Sequence, residues 1–224
     1  MSLILCIETS VKTCSVALSL NGNSLHCEEI HADGFVHAEK LTLLIQELFD
    51  HNPYSIKDLS AVCISSGPGS FTGLRIGVAV AKGLCYGLNI PLIEINSLEV
   101  LFQSFITAPN YIASTHYIPM IDARRMEVYC AGYSLNGSEL FAPKALVVSN
   151  DSFLNIEECV LFGDGADKLV ELSFTNDTIK LIEGIKPSAS SMSSIAFQKY
   201  ELKQFQDIAY FEPFYLKEFG ETTH

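Results

Sequence analysis

The 224 residues carry 14 Lys and Arg against 26 Asp and Glu, a formal charge of −12, with 48% hydrophobic and only 18% charged side chains. That balance disfavours autonomous binding to tRNA, DNA or an anionic membrane, because phosphate contacts need clustered cations. The chain is too apolar for disorder, and its apolar runs are too short and interrupted to span a bilayer.

Leu3 to Ile7 is a continuous apolar run, Cys14 to Leu20 alternates around Val16, Leu18 and Leu20, and Asn21-Gly22 turns the chain toward a third strand at Leu25 to Ile30. The start has no basic region, and Glu8 ends the apolar run early, so a first strand and a cytoplasmic protein are expected. Leu41, Leu44, Ile45, Leu48 and Phe49 recur at helical spacing. Asn52-Pro53 ends that helix, Ser55 to Asp58 has the form of a capping box, and Leu59 to Ser65 reads as a buried strand. A glycine-rich loop follows, then a helix to Leu88, a strand at Pro91 to Ile95 and a short helix from Ser97 to about Phe105. Such an order needs a mixed sheet flanked by crossover helices.

The second half is less regular. Strands are expected at Tyr117 to Ile121, Val128 to Ser134 and Val160 to Phe162, with a hairpin turn at Asn136-Gly137, a helix after Gly165 and another reaching Phe205 beyond the Ser-rich stretch 187–194. The apolar tail from Ala209 to Lys217 should dock on the body, and Gly220 to His224 should fray. No repeat has a fixed period, although both halves offer strands and helices and could be divergent copies of one unit. Seven scattered cysteines, with no C-x-x-C pair, read as buried hydrophobes in a reducing compartment.

Ser65 to Arg75, S-S-G-P-G-S-F-T-G-L-R, joins a buried strand to a helix. Its glycines permit a tight turn and close ligand approach, and N–H groups at a helix start favour an anion. It matches neither the Walker loop nor the dinucleotide fingerprint nor the nucleophile elbow, so an anion cradle and a tight structural turn both remain open. The helix beyond it bears two small-residue stripes, Gly73-Gly77-Ala81 and Ala79-Gly83-Gly87. One can face the sheet; the other suits another helix, of this chain or of a partner. His26, His31, His37, His51, His116 and His224 contain no pair at i, i+3 or i, i+4, so no helical metal site is expected. Asp122 to Glu127 reads as a salt-bridged turn, and Phe162 to Ala166 as a strand-to-helix turn with Asp164 as cap or ligand contact.

In order along the chain, Ile4 to Ser10 (ILCIETS), His37 to Leu41 (HAEKL), Ser66 to Gly77 (SGPGSFTGLRIG), Ala81 to Leu84 (AKGL), Ile90-Pro91-Leu92 with Ser97-Leu98-Glu99, Asp122 to Tyr129 (DARRMEVY) and Tyr215-Leu216-Lys217 resemble the bacterial TsaB family. The resemblance is dense to about Tyr129 and thinner beyond. It implies an α/β protein of the actin-like, sugar-kinase and Hsp70 ATPase (ribonuclease H-like) superfold, with an N-terminal lobe over residues 1–106 and a reduced C-terminal lobe with a docking tail over 107–224. It implies a non-catalytic subunit that binds and activates a TsaD-like catalytic subunit, with a TsaE-like ATPase, for threonylcarbamoyl transfer to N6 of the adenosine 3′ of the anticodon. The alternative is an independent actin-fold ATP-binding enzyme or an M22-like peptidase.

The expected partner surface lies on helices 37–50 and 71–88, through His37, Lys40, Leu41, Leu44, Phe71, Arg75, Val78, Ala79, Lys82 and Gly83. A phosphate-loop-like contact is assigned to Thr9, Ser10, Gly67, Gly69 and Ser70. No cofactor is required and no metal is expected; ATP or ADP at the partner interface and a homodimer of the isolated chain are both compatible. Glu8, Ala38, Met126 and Lys217 stand where the family usually has aspartate, serine, glycine and arginine.

Overall fold

The structure, a computed structural model, describes residues 1–31, 36–153, 155–156, 158–172 and 174–217; the expectation for Gly220 to His224 falls outside them. Leu3–Glu8 (β1) is buried throughout. Leu3, Leu5 and Ile7 enter one core cluster while Ile4 and Cys6 enter another, the period-two alternation of a strand covered on both faces. Thr13–Leu20 (β2) pairs antiparallel with β1, and Asn23–His31 (β3) with β2. Asn21 and Gly22 adopt positive φ of 50° and 86°, as a two-residue hairpin turn demands.

His37–Asp50 (α1) buries Leu41, Leu44, Ile45 and Leu48 in the first cluster, as their spacing predicts. The capping box is present: Ser55 N donates to Asp58 Oδ2 at 2.7 Å and Lys57 N to Ser55 Oγ at 3.3 Å. Ala61–Ser65 (β4) runs parallel to β1 and Leu92–Ile95 (β5) parallel to β4, with Phe71–Leu88 (α2) as the crossover between them. The sheet order is β3-β2-β1-β4-β5.

After Ser97–Ile106 (α3) come His116–Asp122 (β6), Glu127–Tyr133 (β7), Glu139–Val147 (β8), Cys159–Phe162 (β9), Asp164–Asp167 (α4) and Ile179–Ile182 (β10). Their sheet order is β10-β9-β6-β7-β8, with β6-β7 and β7-β8 antiparallel and β6-β9 and β9-β10 parallel. Matching β6 through β10 to β1 through β5 reproduces the first sheet's order and directions, so the two sheets are copies of one plan. The second copy is the smaller: between its last two strands stands the four-residue α4, where the first has the 18-residue α2.

The chain divides into two compact units, Met1–Val100 with Pro187–Phe214, and Leu101–Lys186 with Tyr215–His224. This differs from a single cut after residue 106. The division falls inside α3, and the chain returns to the first unit at Pro187, because Ala189, Met192 and Ala196 cover the face of β1 and β4 that presents Ile4, Cys6, Ala61 and Cys63. With Val100 of α3, that return covers the face opposite α1 and α2. The returning helix, Ser193–Glu201 (α5), ends four residues before Phe205. In the tail, Gln206 N donates to Leu92 O at 2.8 Å, and Ile208 and Phe211 pack on the first cluster. Six of the seven cysteines are buried and Cys27 is half-buried; burial pushes Cys14 and Cys159 up to about 12 and Cys85 and Cys130 up to about 11. They remain thiols at neutral pH, small apolar groups as expected. Among the described residues no helix is long and apolar enough to cross a membrane.

Candidate functional site

The glycine-rich loop and the end of β1 meet, so all five residues of the expected phosphate contact come together, with Ser10 Oγ and Glu8 Oε2 buried there without a hydrogen-bond partner among the described residues. Ser70 N donates to Ser10 O at 2.6 Å. Gly67 N donates to Ser97 Oγ at 2.9 Å, Ser66 N to Ile95 O at 2.8 Å, and Gly73 N to Ser70 Oγ at 3.1 Å, Ser70 being the N-cap of α2. These N–H groups are the donors an anion would need, and the protein uses them itself. Glycine is needed for close approach: a Cβ at Gly69 would lie 2.3 Å from Ser10 O, and one at Gly67, where φ is +117°, 2.5 Å from Phe214 O. Phe214 N in turn donates to Ser66 O at 2.7 Å. Thr9 Oγ1 has no hydrogen-bond partner among the described residues, yet it points at Gly77, where a Cβ would stand 2.2 Å away, leaving no room for a ligand group.

The N–H groups of Gly67, Ser70 and Gly73 are thus spent inside the protein, and Thr9, Ser10, Gly67, Gly69 and Ser70 form a strand-to-helix lock. Glu8 reinforces this. It is fully buried; burial raises its carboxyl above the usual range, opposed by hydrogen bonds from Ser10 and Ser65, with Ser10 N donating to Oε1 at 2.6 Å.

The two small-residue stripes of α2 have different fates. Gly73 and Gly77 press on Thr9, whose carbonyl O and Oγ1 would each lie 2.2 Å from an added Cβ, and Ala81 is buried with them. At Gly83 and Gly87 an added Cβ would meet nothing within 4 Å, and Ala79 is exposed. Beside them Tyr86 is 85% exposed. Thr72, Arg75, Ala79, Gly83 and Tyr86 thus form one solvent-facing line at i+3 and i+4 steps. Arg75 stacks its guanidinium 3.9 Å from the centre of the Phe71 ring.

The expected partner surface needs correcting on this basis. His37, Leu41, Leu44 and Val78 are buried at 5% exposure or less, so their side chains hold the core and are absent from the surface. His37 Nε2 pairs with Thr13 O at 3.2 Å, and burial lowers its pKa. Lys82 is turned toward the tail, donating to Phe211 O at 3.1 Å and Ala209 O at 3.5 Å. Arg75, Ala79 and Gly83 are exposed, and Lys40 and Phe71 are half-buried. Tyr86 was missed, although its place one turn after Gly83 marks it as a neighbour of the second stripe. Leu43 on α1, 48% exposed, was missed too, because the helical period assigns it to the polar face.

Around the second unit's β6-β7 turn, Arg124 N donates to Asp122 Oδ1 at 2.8 Å, Lys168 pairs with Asp122, and Lys217 with Glu127. The expected salt-bridged turn at residues 122–127 thus draws its cations from Lys168 and Lys217, outside the turn. Asp164 Oδ1 accepts from Asp122 N at 3.0 Å; desolvation, with Asp122 and Asp167 nearby, raises its carboxyl to about 6. The expectation of no metal site rested on helical histidine spacing, which overlooks a group the fold assembles: His26, Glu28 and His51 bring one ligand atom each within 4.8 Å of one another.

A family model described as TsaD, tRNA N6-adenosine threonylcarbamoyltransferase, matches residues 35–216. The tRNA threonylcarbamoyladenosine biosynthesis protein TsaB of Escherichia coli is 30% identical over 96% of this chain and 94% of its own length, and that of Bacillus subtilis is 35% identical over 58% and 54%. Among solved structures, YeaZ from Pseudomonas aeruginosa superposes with a TM-score of 0.81 at 26% identity, covering 96% of this chain and all of that one. An activator of 2-hydroxyisocaproyl-CoA dehydratase from Clostridium difficile, solved with ADPNP, matches at TM-score 0.52 and 10% identity, a likeness of fold alone. The fold is thus of the actin-like ATPase type.

Proposed function

The chain belongs to the TsaB family, and from that premise we propose that it serves tRNA threonylcarbamoyladenosine biosynthesis as a non-catalytic cytoplasmic subunit. It binds and activates a TsaD-like catalytic subunit, working with a TsaE-like ATPase, while the catalytic subunit transfers the threonylcarbamoyl group to N6 of the adenosine 3′ of the anticodon. The observation that carries the reading is the solvent-facing line of α2. Two interior glycines, each costing about 0.5 to 1 kcal/mol of helix stability relative to alanine, have no close neighbour at Gly83 and Gly87. Beside an exposed tyrosine they suit a partner helix whose backbone comes close. The same face can hold a second copy when the chain is alone.

A non-catalytic role is supported by the strand-to-helix lock, in which the N–H groups of Gly67, Ser70 and Gly73 are already taken by acceptors of the chain itself. It also weighs against an independent kinase. A peptidase would need a base-activated nucleophile, and Ser70, one of the loop's hydroxyls, caps α2 by accepting from Gly73 N. Any ATP or ADP in the assembly would sit against the catalytic partner. The test pairs co-purification with nucleoside mass spectrometry: replacing Gly83 by Arg should abolish capture of the catalytic subunit and deplete threonylcarbamoyladenosine in tRNA while the chain stays folded. Unchanged modification after depletion of this protein would overturn the reading.

A further inference from the structure

β3 is the edge strand of the first sheet, and residues 26 and 28 share one of its faces by strand alternation. Their cross-strand neighbours Leu18 and Val16 belong to the core cluster under α1, so this is the face on which α1 packs. His51 is the C-cap residue of α1. The fold delivers three side chains from two elements to one spot, with Glu28 Oε1 at the centre: His26 Nε2 and His51 Nδ1 each lie 2.9 Å from it. The two imidazole rings stand 5.7 Å apart, centre to centre.

We propose that His26, Glu28 and His51 form a binding site for a divalent transition cation of the Zn²⁺ class, clamping the edge strand to the end of α1. The donor set is two imidazoles and a carboxylate, which suits zinc and its neighbours and is a poor match for Mg²⁺ or Ca²⁺, both of which require oxygen cages. A tetrahedral ion with bonds of about 2.0 to 2.2 Å holds its ligands roughly 3.3 to 3.5 Å apart. Two of the three separations are already shorter than that, so small movements of exposed or half-exposed side chains would admit the ion. His51 is 59% exposed, leaving the fourth position to water. Binding requires each imidazole to carry its proton on the ring nitrogen away from Glu28, which solvent can supply. Cys27, between the two ligands on β3, faces the other way, toward Ser15 and Ser188, and stays out of the set.

The test is titration of the tag-free full chain with Zn²⁺, by calorimetry and by competition with a chromophoric chelator. The expected result is one ion per chain, weakened at least ~10-fold in His26→Ala, His51→Ala and Glu28→Gln and unchanged in His116→Ala, whose ring lies in the other unit. Zn²⁺ should also raise the melting temperature of the wild-type chain and leave His51→Ala unmoved. Absence of stoichiometric binding, or equal affinity in the wild type and the three site variants, would overturn the proposal.

Discussion

Thr9 and Gly77 stand so close that a Cβ on the glycine would lie 2.2 Å from Thr9 Oγ1. With Gly73, which would meet Thr9 O at the same distance, this contact seats α2 on the end of β1. Gly77→Ala should therefore destabilise the protein by about 1 to 3 kcal/mol through overpacking. Gly83→Ala, entering open space on the same helix, should stabilise it by about 0.5 to 1 kcal/mol. Urea denaturation of the two variants decides: shifts of the same sign and size would refute the division of α2 into an inner and an outer face.

That division marks where sequence reasoning reached and where it stopped. Both stripes were visible in the spacing of Gly73, Gly77, Ala81, Ala79, Gly83 and Gly87, but spacing cannot say which one faces the sheet. Only the placement of Thr9 decides it. Leu41, Leu44 and Val78 illustrate the same limit, since an apolar residue on an interface helix can serve the chain's own core or a partner, and here they serve the core. The glycines of the loop were equally legible; that Ser10, Ser97 and Phe214 take up its polar groups depends on contacts between distant segments. Strands β8 and β10 escaped because half-exposed residues blur their alternation, and the His26, Glu28 and His51 group because its members come from a strand and a helix end rather than one helix.

Tyr86 is the surface residue on which partner capture should depend most. At 85% exposure, Tyr86→Glu should leave stability within about 0.5 kcal/mol yet weaken association with the catalytic subunit by about 10- to 100-fold, since aromatic anchors dominate interfaces. Leu41→Ala is the contrasting control: it should cost about 2 to 5 kcal/mol of stability. Surface-plasmon titration beside thermal melts separates the two, and undiminished binding by Tyr86→Glu would move the interface elsewhere.

The net charge of −12 predicts how the work is divided with the partner. Alone, the chain should show no saturable tRNA binding at roughly physiological salt, because it lacks the cation surplus that counterion release requires. Joined to the catalytic subunit it should bind, with that subunit supplying the cations. Electrophoretic shift of labelled tRNA with each component and with both tests this; tight, salt-sensitive binding by this chain alone would contradict it.

Asp164 gives the second unit a pH dependence whose sign can be worked out. Its carboxyl titrates near 6 in the folded chain against an ordinary 3.8, raised first by desolvation and then by Asp122 and Asp167. A folded-state value above the unfolded one means that the folded chain holds this proton more tightly, so the contribution to stability is complete below about pH 4 and is lost as pH rises through about 6. The side chain is half-buried and water screens part of the effect, which leaves about 1 to 2 kcal/mol. Asp164→Asn keeps an acceptor for Asp122 N and removes the ionisation. The variant should therefore match the wild type near pH 4 and exceed it in stability near pH 7, as denaturation at the two pH values would report. A variant less stable at neutral pH would show instead that the ionised carboxylate is the form the fold requires.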